Sequence, residues 1–305
     1  MNVLAIDGGA STAKWCIQDP NGKTLINQSS GPLSGHIFSS SAQKENESKL
    51  QDICQQARKV APISKVIAGI SGLDSKSSQA KWMREIIKKS LKTKDVLISD
   101  DLFFVYLGLA IPGKEFLVYA GTGCIGYHLT REYNVLRANG YGYLIDDCGG
   151  GFWIGQQALR AWLRSMETMN PKMSVLNSKL ADKFGSKDWN TIRQKVYRGG
   201  REIIASLAKE VNCAATLGDP IALKILHEAG VEIGKLSNRL FDMTELKQAK
   251  MYLIGGVANC VDFLDTSLQS NLNSGIKYST VNSNNAEIMA SVLKKYSFEQ
   301  LNRLI

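Results

Sequence analysis

Residues 3–28 read VLAIDGGASTAKWCIQDPNGKTLINQ, and they predict three short strands in series. An apolar run ends at Asp7 and leads into a turn of small and polar residues. The chain returns as a strand from Lys14, and the DPNG turn at 19–22 precedes a third strand. Three strands joined by tight turns predict an antiparallel meander.

The same plan returns in the second half of the chain. Residues 116–138 read FLVYAGTGCIGYHLTREYNVLRA, which is again strand, glycine turn, strand, turn and strand. Helical spacing over 50–60 and apolar runs at 66–70 and 96–98 follow the first copy, and helices alternate with strands after the second. The sequence therefore predicts an α/β protein of two similar domains, each a mixed sheet covered by helices, with a ligand cleft between two glycine turns.

The domain boundary is expected near Gly113, where the residues IPGK at 111–114 form a linker-like break. The first domain is then 1–113 and the second 114–284, with a last helix from about Asn285. The polar stretch from Ser39 to Ser48 is expected to be a mobile surface loop.

Composition excludes several classes of protein. The chain has 305 residues, 44% of them hydrophobic and 21% charged, which is ordinary for globular domains. With no apolar run near 18 residues and no targeting pattern, we expect a cytoplasmic protein that does not enter a membrane. Its six cysteines lack C-x-x-C pairs and its three histidines lack metal-ligand spacing, which favours reduced thiols and no transition-metal site. The net charge of +9 is dispersed, which favours a solvated face over nucleic-acid binding and helps to attract an anion such as ATP.

The first glycine turn predicts a phosphate site. Gly8 and Gly9 expose backbone N–H groups and let a phosphate approach, and the Ser11 hydroxyl can donate to a phosphate oxygen. Asp7 ends the preceding strand, where its carboxylate can hold Mg²⁺ through water. The sequence of this turn alone does not distinguish a phosphate site from an ordinary hairpin turn, but a second turn repeats the pattern of strand, glycines with a hydroxyl residue, and strand.

That second turn is Gly121-Thr122-Gly123, and a third glycine pair follows the strand that ends at Ile254. Two glycine–hydroxyl turns suit a clamp on a polyphosphate. Gly255 and Gly256 allow a flat adenine or ribose to lie against the main chain beside a helix start. The first turn leads into a strand, so it is not a dinucleotide-binding fingerprint, and G-x-x-x-x-G-K-[ST] is absent.

A candidate general base follows the apolar run at 96–98. Asp100 stands where a buried strand ends and a helix begins, which is where ligands bind in open α/β sheets. A carboxylate in that place can act as a general base toward a hydroxyl group that accepts a phosphate. Asp100 is the preferred base and Asp101 the helix-capping or first-turn residue, although spacing alone barely separates the two. The glycine-rich, acidic loop at 139–155 suits a hydroxyl-rich ligand.

Taken in order, LAIDGGAST, VLISDD, YAGTGCIGYHL, GYGYLIDDCGGGFWIGQQAL and YLIGGVAN resemble the BadF/BadG-type ATPase family, in the branch of N-acetylglucosamine and glucosamine kinases. This branch belongs to the superfamily of actin, hexokinase and the heat-shock chaperone ATPases. The resemblance implies two RNase H-like domains, ATP with Mg²⁺, and transfer of the γ-phosphate to the 6-hydroxyl of an amino sugar. It also implies a homodimer and a last helix that packs back on the first domain.

The resemblance also assigns residues. Asp100 matches the catalytic base and a sugar contact, and further sugar contacts match a set spread over both halves of the chain: Ser34, Ser71, Gly72, Gly140 and Asp147. The nucleotide contacts match the three turns, namely Gly8, Gly9, Ser11, Thr12, Gly121, Thr122, Gly123, Gly255, Gly256 and Asn259.

The chain departs from the family pattern in four places. The first turn has Ser11 and then Ala13 where the family often has a Thr or Ser pair, and Cys148 replaces a Glu. Ser34 replaces a sugar-contacting Asn, and Cys124-Ile125 stands where acetylated-sugar kinases often have Ser-Asn after the second turn. These changes bear on which sugar is bound. Two rival functions on the same fold are a nucleotide-binding regulator that has lost catalysis and an iron–sulfur activator ATPase of 2-hydroxyacyl-CoA dehydratases.

Overall fold

The computed structural model describes residues 2–9, 11–35, 37, 39–167 and 173–305. Its backbone divides into two compact units, Met1–Ile111 with Ser283–Ile305, and Pro112–Asn282. The division falls beside Gly113, where the sequence predicts the boundary. Each unit is built around one mixed sheet, and the predicted fold class is confirmed.

The first sheet begins with the predicted meander. Among the described residues its strands are β1 Asn2–Gly8, β2 Ala13–Gln18, β3 Thr24–Ser30, β4 Ile63–Ile70 and β5 Asp95–Ser99. They lie in the order β3-β2-β1-β4-β5. β1 and β2, like β2 and β3, run antiparallel, whereas β1, β4 and β5 run parallel. The carboxyl ends of these three parallel strands therefore share one edge of the sheet.

Helices cover this sheet. They are α1 Ser40–Val60, α2 Ser78–Leu91, α3 Asp101–Leu109, α9 Asn285–Ser291 and α10 Phe298–Leu304. The expected mobile loop at 39–48 is wrong, because these residues form the first turns of α1. The Ser39 side chain caps that helix by accepting from the Ala42 N–H. The segment reads as a loop because most of its side chains are exposed, which hides the helical spacing.

The second sheet repeats the plan. In the described part of the chain its strands are β6 Glu115–Ala120, β7 Cys124–Leu129, β8 Val135–Asn139, β9 Ala249–Ile254 and β10 Ile276–Val281. They lie in the order β10-β9-β6-β7-β8. β7 pairs antiparallel with β6 and β8, whereas β6, β9 and β10 run parallel.

The helices of the second unit are α4 Gly151–Met166, α5 Val175–Phe184, α6 Trp189–Thr216, α7 Pro220–Thr244 and α8 Val261–Asn271. Their apolar faces form one core with the sheet, and Trp162 lies in it with its ring centroid 6.1 Å from that of Phe184. α6 contains a kink at Gly200, where φ is 50° and ψ is −135°. Unpredicted from the sequence, this kink sets the direction of the second half of the helix.

The last part of the chain returns to the first unit. α9 packs on β1, β2 and α3, and its Glu287 carboxylate accepts hydrogen bonds from Thr24 and Asn27 of β3 at 3.0 and 2.7 Å. The single last helix expected from Asn285 is instead three segments: α9, a 3₁₀ turn Val292–Lys294, and α10. Ser297 begins α10 with a capping box.

Candidate active site

The first glycine turn joins β1 to β2 and allows close backbone approach. A Cβ at Gly8 would lie 2.5 Å from the Ile70 side chain, and one at Gly9 would lie 2.7 Å from the Thr12 carbonyl oxygen. Neither position has room for a larger residue without a shift of its surroundings. Ser11 is half-buried and Thr12 is exposed, while Ala10, the remaining residue of the turn, lies outside the described residues. The predicted phosphate contacts thus form one tight turn.

Asp7 lies at the end of β1 with an unusual electrostatic environment. Burial raises the pKa of Asp7 to about 6, and a hydrogen bond from Asn285 and the charge of Lys14 act against this rise. Asn285 is the first residue of α9 and lies far from Asp7 in the sequence, so no local pattern indicates this contact. A half-buried carboxylate at a strand end with a raised pKa is a site that a cation would stabilise in its charged form.

The loop after β3, which contains Ser34, and the loop after β4, which contains Ser71, lie together beside the end of β1. The Ser71 N–H donates to the Gly8 carbonyl at 2.8 Å, and Ser34 and Ser71 form an isolated parallel bridge. The Gly35 N–H donates to the Ser71 carbonyl at 2.8 Å. The structure therefore brings the predicted sugar contacts Ser34, Ser71 and Gly72 to the edge where β1 ends. His36, the next residue of the first loop, lies outside the described residues.

Asp100 directly follows β5 at the same edge and caps α3. Its Oδ1 accepts from the N–H groups of Leu102 and Phe103 at 3.1 and 3.0 Å. Asp101 is the acidic residue of the first helical turn, so the cap is Asp100 and not Asp101. A Cβ at Gly69 in β4 would lie 2.9 Å from the Asp101 Cα, which shows how closely β4 approaches this helix start. Capping and close packing fix the orientation of the Asp100 carboxyl group.

The second glycine turn joins β6 to β7 in the other unit. The Gly121 N–H donates to the Gly123 carbonyl at 2.9 Å, which closes the turn. The carbonyls of Gly121 and Thr122 accept from the first N–H groups of α4 at 2.7 and 2.9 Å. Gly150 packs on the same turn, because a Cβ there would lie 2.6 Å from the Gly123 carbonyl carbon. The structure therefore holds the predicted turn Gly121–Gly123 against the start of α4.

The third glycine pair follows β9 and meets the same turn. Gly255 has a φ of 99°, and a Cβ there would lie 2.5 Å from the Ala120 carbonyl oxygen, so glycine is required. Gly256 has open space where a Cβ would be and starts a 3₁₀ helix, Gly256–Cys260, that leads into α8. Asn259 is exposed on this short helix. Two of the three predicted nucleotide segments are thus adjacent within one unit.

The loop after β8 brings Asp147 to the second turn. Asp147 is buried and has a φ of 67°. Its carboxylate packs against Gly123 so closely that a Cβ at Gly123 would clash with it. Burial raises its pKa, while Arg201 and the N–H groups of Gly142 and Cys124 lower it. Gly140, the other predicted sugar contact of this loop, is exposed with a φ of 78° and packs on Ile125.

Sequence reasoning missed Arg201 and Asn285. Both are polar side chains brought to predicted site residues from distant helices, Arg201 to Asp147 and Asn285 to Asp7. The glycine pair at 199–200, inside a helical pattern, was the available sign that α6 changes direction just before Arg201.

No group of three or more His, Cys, Asp or Glu suited to a metal ion occurs in the residues that the structure describes. None of the helices described here has the length and apolarity needed to span a membrane.

The fold, a mixed five-stranded sheet in each of two units, is similar to that of solved sugar kinases. The chain belongs to the BadF/BadG/BcrA/BcrD ATPase family, whose sequence model matches residues 4–290. The family resemblance predicted from the motifs is therefore confirmed.

Individual proteins are similar over nearly the whole chain. A Clostridium acetobutylicum N-acetylmuramic acid/N-acetylglucosamine kinase is 26% identical over 280 residues, covering 89% of this chain and 90% of its own. A Chromobacterium violaceum protein provisionally assigned as an N-acetylglucosamine kinase has a TM-score of 0.71 at 22% identity, over 96% and 98% of the two chains. A ROK family glucokinase from Streptomyces griseus, solved with glucose and AMPPNP, has a TM-score of 0.66 at 14% identity, over 97% and 99%.

Proposed function

We propose that this protein is an ATP-dependent kinase that transfers the γ-phosphate to the 6-hydroxyl of an amino sugar, N-acetylglucosamine or glucosamine. The observation that carries the proposal is the edge of the first sheet, where Asp7, the Ser34–Ser71 bridge and Asp100 stand at the ends of three parallel strands. Such an edge is where open α/β sheets bind ligands. The names of the similar kinases support the choice of an amino sugar.

The nucleotide contacts proposed for the first unit are Gly8, Gly9, Ser11 and Thr12, in the turn after β1. The second unit contributes two segments that lie together, the turn Gly121–Gly123 and the pair Gly255 and Gly256 with Asn259. Backbone N–H groups in glycine turns bind phosphate oxygens, and the open space at Gly256 suits a flat base or ribose. ATP is therefore the cofactor of this proposal.

Mg²⁺ fits the proposed site through Asp7. Magnesium is commonly held by one or two carboxylates, phosphate oxygens and water, so a single carboxylate at the end of β1 is a sufficient protein contribution. The raised pKa of Asp7 reflects desolvation of a half-buried carboxylate with little compensating charge, which a cation supplies. When bound, the ion neutralises charge on the phosphates.

Asp100 is the proposed general base. As the sugar O6 attacks the γ-phosphorus, a new O6–P bond forms, the bond between the γ-phosphorus and the bridging oxygen breaks, and ADP leaves. The proton of the 6-hydroxyl passes to the Asp100 carboxylate. The two hydrogen bonds that Oδ1 accepts from the N–H groups of Leu102 and Phe103 hold this carboxylate in one orientation, so that little reorganisation is needed.

Ser34, Ser71, Gly72, Gly140 and Asp147 are the proposed sugar contacts. Their hydroxyl, backbone and carboxylate groups are suited to hydrogen bonding with sugar hydroxyls. The same resemblance supports a homodimer that works in the cytoplasm. Light scattering of the purified protein and fractionation of cells test those two points.

The test is coupled ADP release with Mg-ATP against glucosamine, N-acetylglucosamine, N-acetylmuramic acid, N-acetylmannosamine and glucose. ³¹P and ¹³C NMR of the product then identify which hydroxyl carries the phosphate. We expect turnover with one amino sugar and phosphate on O6. No sugar-stimulated ADP release across the panel would contradict the proposal and favour a regulator.

A further inference from the structure

Arg201 owes its position to a break in a helix. Gly200, inside α6, has a φ of 50° and a ψ of −135°, a conformation that favours glycine. No atom would lie within 4 Å of a Cβ at Gly200, so backbone conformation and not space requires glycine there. The second half of α6 starts at Arg201 and packs against α4, where Ile204 approaches Gly155. The kink thus sends Arg201 toward the start of α4 and the second glycine turn.

The Arg201 guanidinium lies between Tyr143 and the second glycine turn. Its central carbon is 5.2 Å from the centroid of the Tyr143 ring, a cation–π contact. Its Nη2 is 3.5 Å from the point where a Cβ at Gly123 would lie, and the Asp147 carboxylate contacts the same point. A cation and a carboxylate from distant parts of the chain therefore meet at Gly123.

Among the residues that the structure describes, two buried polar atoms in this cluster lack a hydrogen-bond partner. They are Oδ1 of Asp147 and Nε of Arg201. Buried polar atoms almost always have a partner, and an exception in a folded protein calls for a ligand, a water or strain. Asp147 Oδ1 is a carboxylate oxygen without a donor on a side chain that is only 4% exposed. A sugar hydroxyl is a donor of the kind that this oxygen lacks.

We propose that Arg201 is a positioning residue, whose guanidinium fixes the Asp147 carboxylate against Gly123 so that Oδ1 accepts a hydrogen bond from a substrate hydroxyl. This inference rests on the sugar-kinase function proposed above. Arg201 itself does not need to contact the sugar. The combination of a kinked helix, a cation–π contact and two unpartnered atoms at one glycine distinguishes it from the other arginines of α6.

Charges around Asp147 agree with this role. Burial raises its pKa most, and Arg201 is the strongest influence in the opposite direction. The N–H groups of Gly142 and Cys124 also lower the pKa, whereas Asp146 raises it.

The other titratable neighbours are the thiols of Cys124 and Cys148, whose pKa values burial raises, and the Tyr143 phenol. Loss of the guanidinium therefore leaves burial and Asp146 to raise the pKa of Asp147 further. A protonated Asp147 no longer accepts at both oxygens.

The experiment compares Arg201→Gln, Arg201→Lys and Arg198→Gln with the wild type. Arg198 is exposed, one turn earlier in the same helix, and serves as the matched control. For the sugar that the wild type phosphorylates, we expect Arg201→Gln to raise KM about tenfold at neutral pH, the loss expected when one substrate hydrogen bond is no longer held in place. The acid limb of the pH profile of kcat/KM should also move to higher pH. Arg201→Lys should restore part of both effects, and Arg198→Gln should match the wild type.

A second readout does not depend on turnover. ¹³C NMR of carboxyl-labelled aspartate, with the Asp147 signal assigned by its loss in Asp147→Asn, gives the pKa of Asp147 directly. A higher pKa in Arg201→Gln supports the inference, and an unchanged pKa overturns it. The inference is also overturned if Arg201→Gln lowers the melting temperature but leaves the acid limb of the pH profile of kcat/KM where it is in the wild type. If the wild type phosphorylates no sugar, the proposed function fails, but the NMR titration still decides the role of Arg201.

Discussion

Replacing Asp7 by Asn should stabilise the protein while it removes the proposed magnesium ligand. Burial raises the pKa of Asp7 from 3.8 to about 6, against the weaker influence of Asn285 and Lys14. Between those two pH values the native protein binds more protons than the unfolded chain. Stability therefore falls as pH rises through this window, and the full cost of the ionised carboxylate is present above about pH 6.

The size of this cost follows from the shift. Each pKa unit corresponds to about 1.4 kcal/mol, so the rise amounts to about 3 kcal/mol at neutral pH. Asp7 is half-buried, and solvent screens part of the charge. We therefore expect Asp7→Asn to raise the free energy of unfolding by about 1–3 kcal/mol at pH 7.5 and by little near pH 4. An Asn side chain can keep a hydrogen bond with Asn285.

Urea unfolding at both pH values, in EDTA to remove divalent cations, measures this difference. Asp52→Asn is the control, because Asp52 is an exposed acidic residue on α1 of the same unit. The control should change stability equally little at both pH values. A gain from Asp7→Asn that is the same at pH 4 and 7.5, or a loss at pH 7.5, would refute the reasoning from burial. Kinase activity of Asp7→Asn should fall steeply despite its higher stability.

Two further predictions concern the second unit. Gly255→Ala should destabilise it by about 1–3 kcal/mol, because alanine there meets both a φ of 99° and the Ala120 carbonyl, whereas Gly256→Ala has open space and should not. Thermal melting of both variants tests this, and equal melting temperatures would count against it. Trp162→Ala should cost about 3–5 kcal/mol, since Trp162 is fully buried against Phe184. Urea unfolding checks that cost, with Trp162→Phe expected to retain most of the stability.

Local sequence signals predicted most of the fold. The meander of β1 to β3 could be predicted because its turn is locally encoded: the Asp19 carboxylate accepts from the N–H groups of Asn21 and Lys23, and Gly22 has a φ of 78°. The start of α1 could not, because its exposed polar residues carry no apolar period. Its one local signal was Ser39, a good helix cap.

The candidate site divides in the same way. Glycine turns and the acidic residues at strand ends are local patterns, and the structure places them at sheet edges as predicted. Spacing alone could not decide whether Asp100 or Asp101 caps α3, because an aspartate suits both the cap and the first turn of a helix. Arg201 reaches Asp147, and Asn285 reaches Asp7, through tertiary packing, and no local pattern specifies such contacts.

The most direct test of the account is phosphorylation of the preferred amino sugar by the wild type, Asp100→Asn and Asp101→Asn. Asparagine is as good a helix cap as aspartate, so Asp100→Asn should keep α3 and the fold intact while it removes the base. We expect Asp100→Asn to bind ATP and melt like the wild type, with turnover reduced at least about a hundredfold, and Asp101→Asn to remain active. Turnover by Asp100→Asn near the wild-type rate would contradict the assignment of Asp100 as the base.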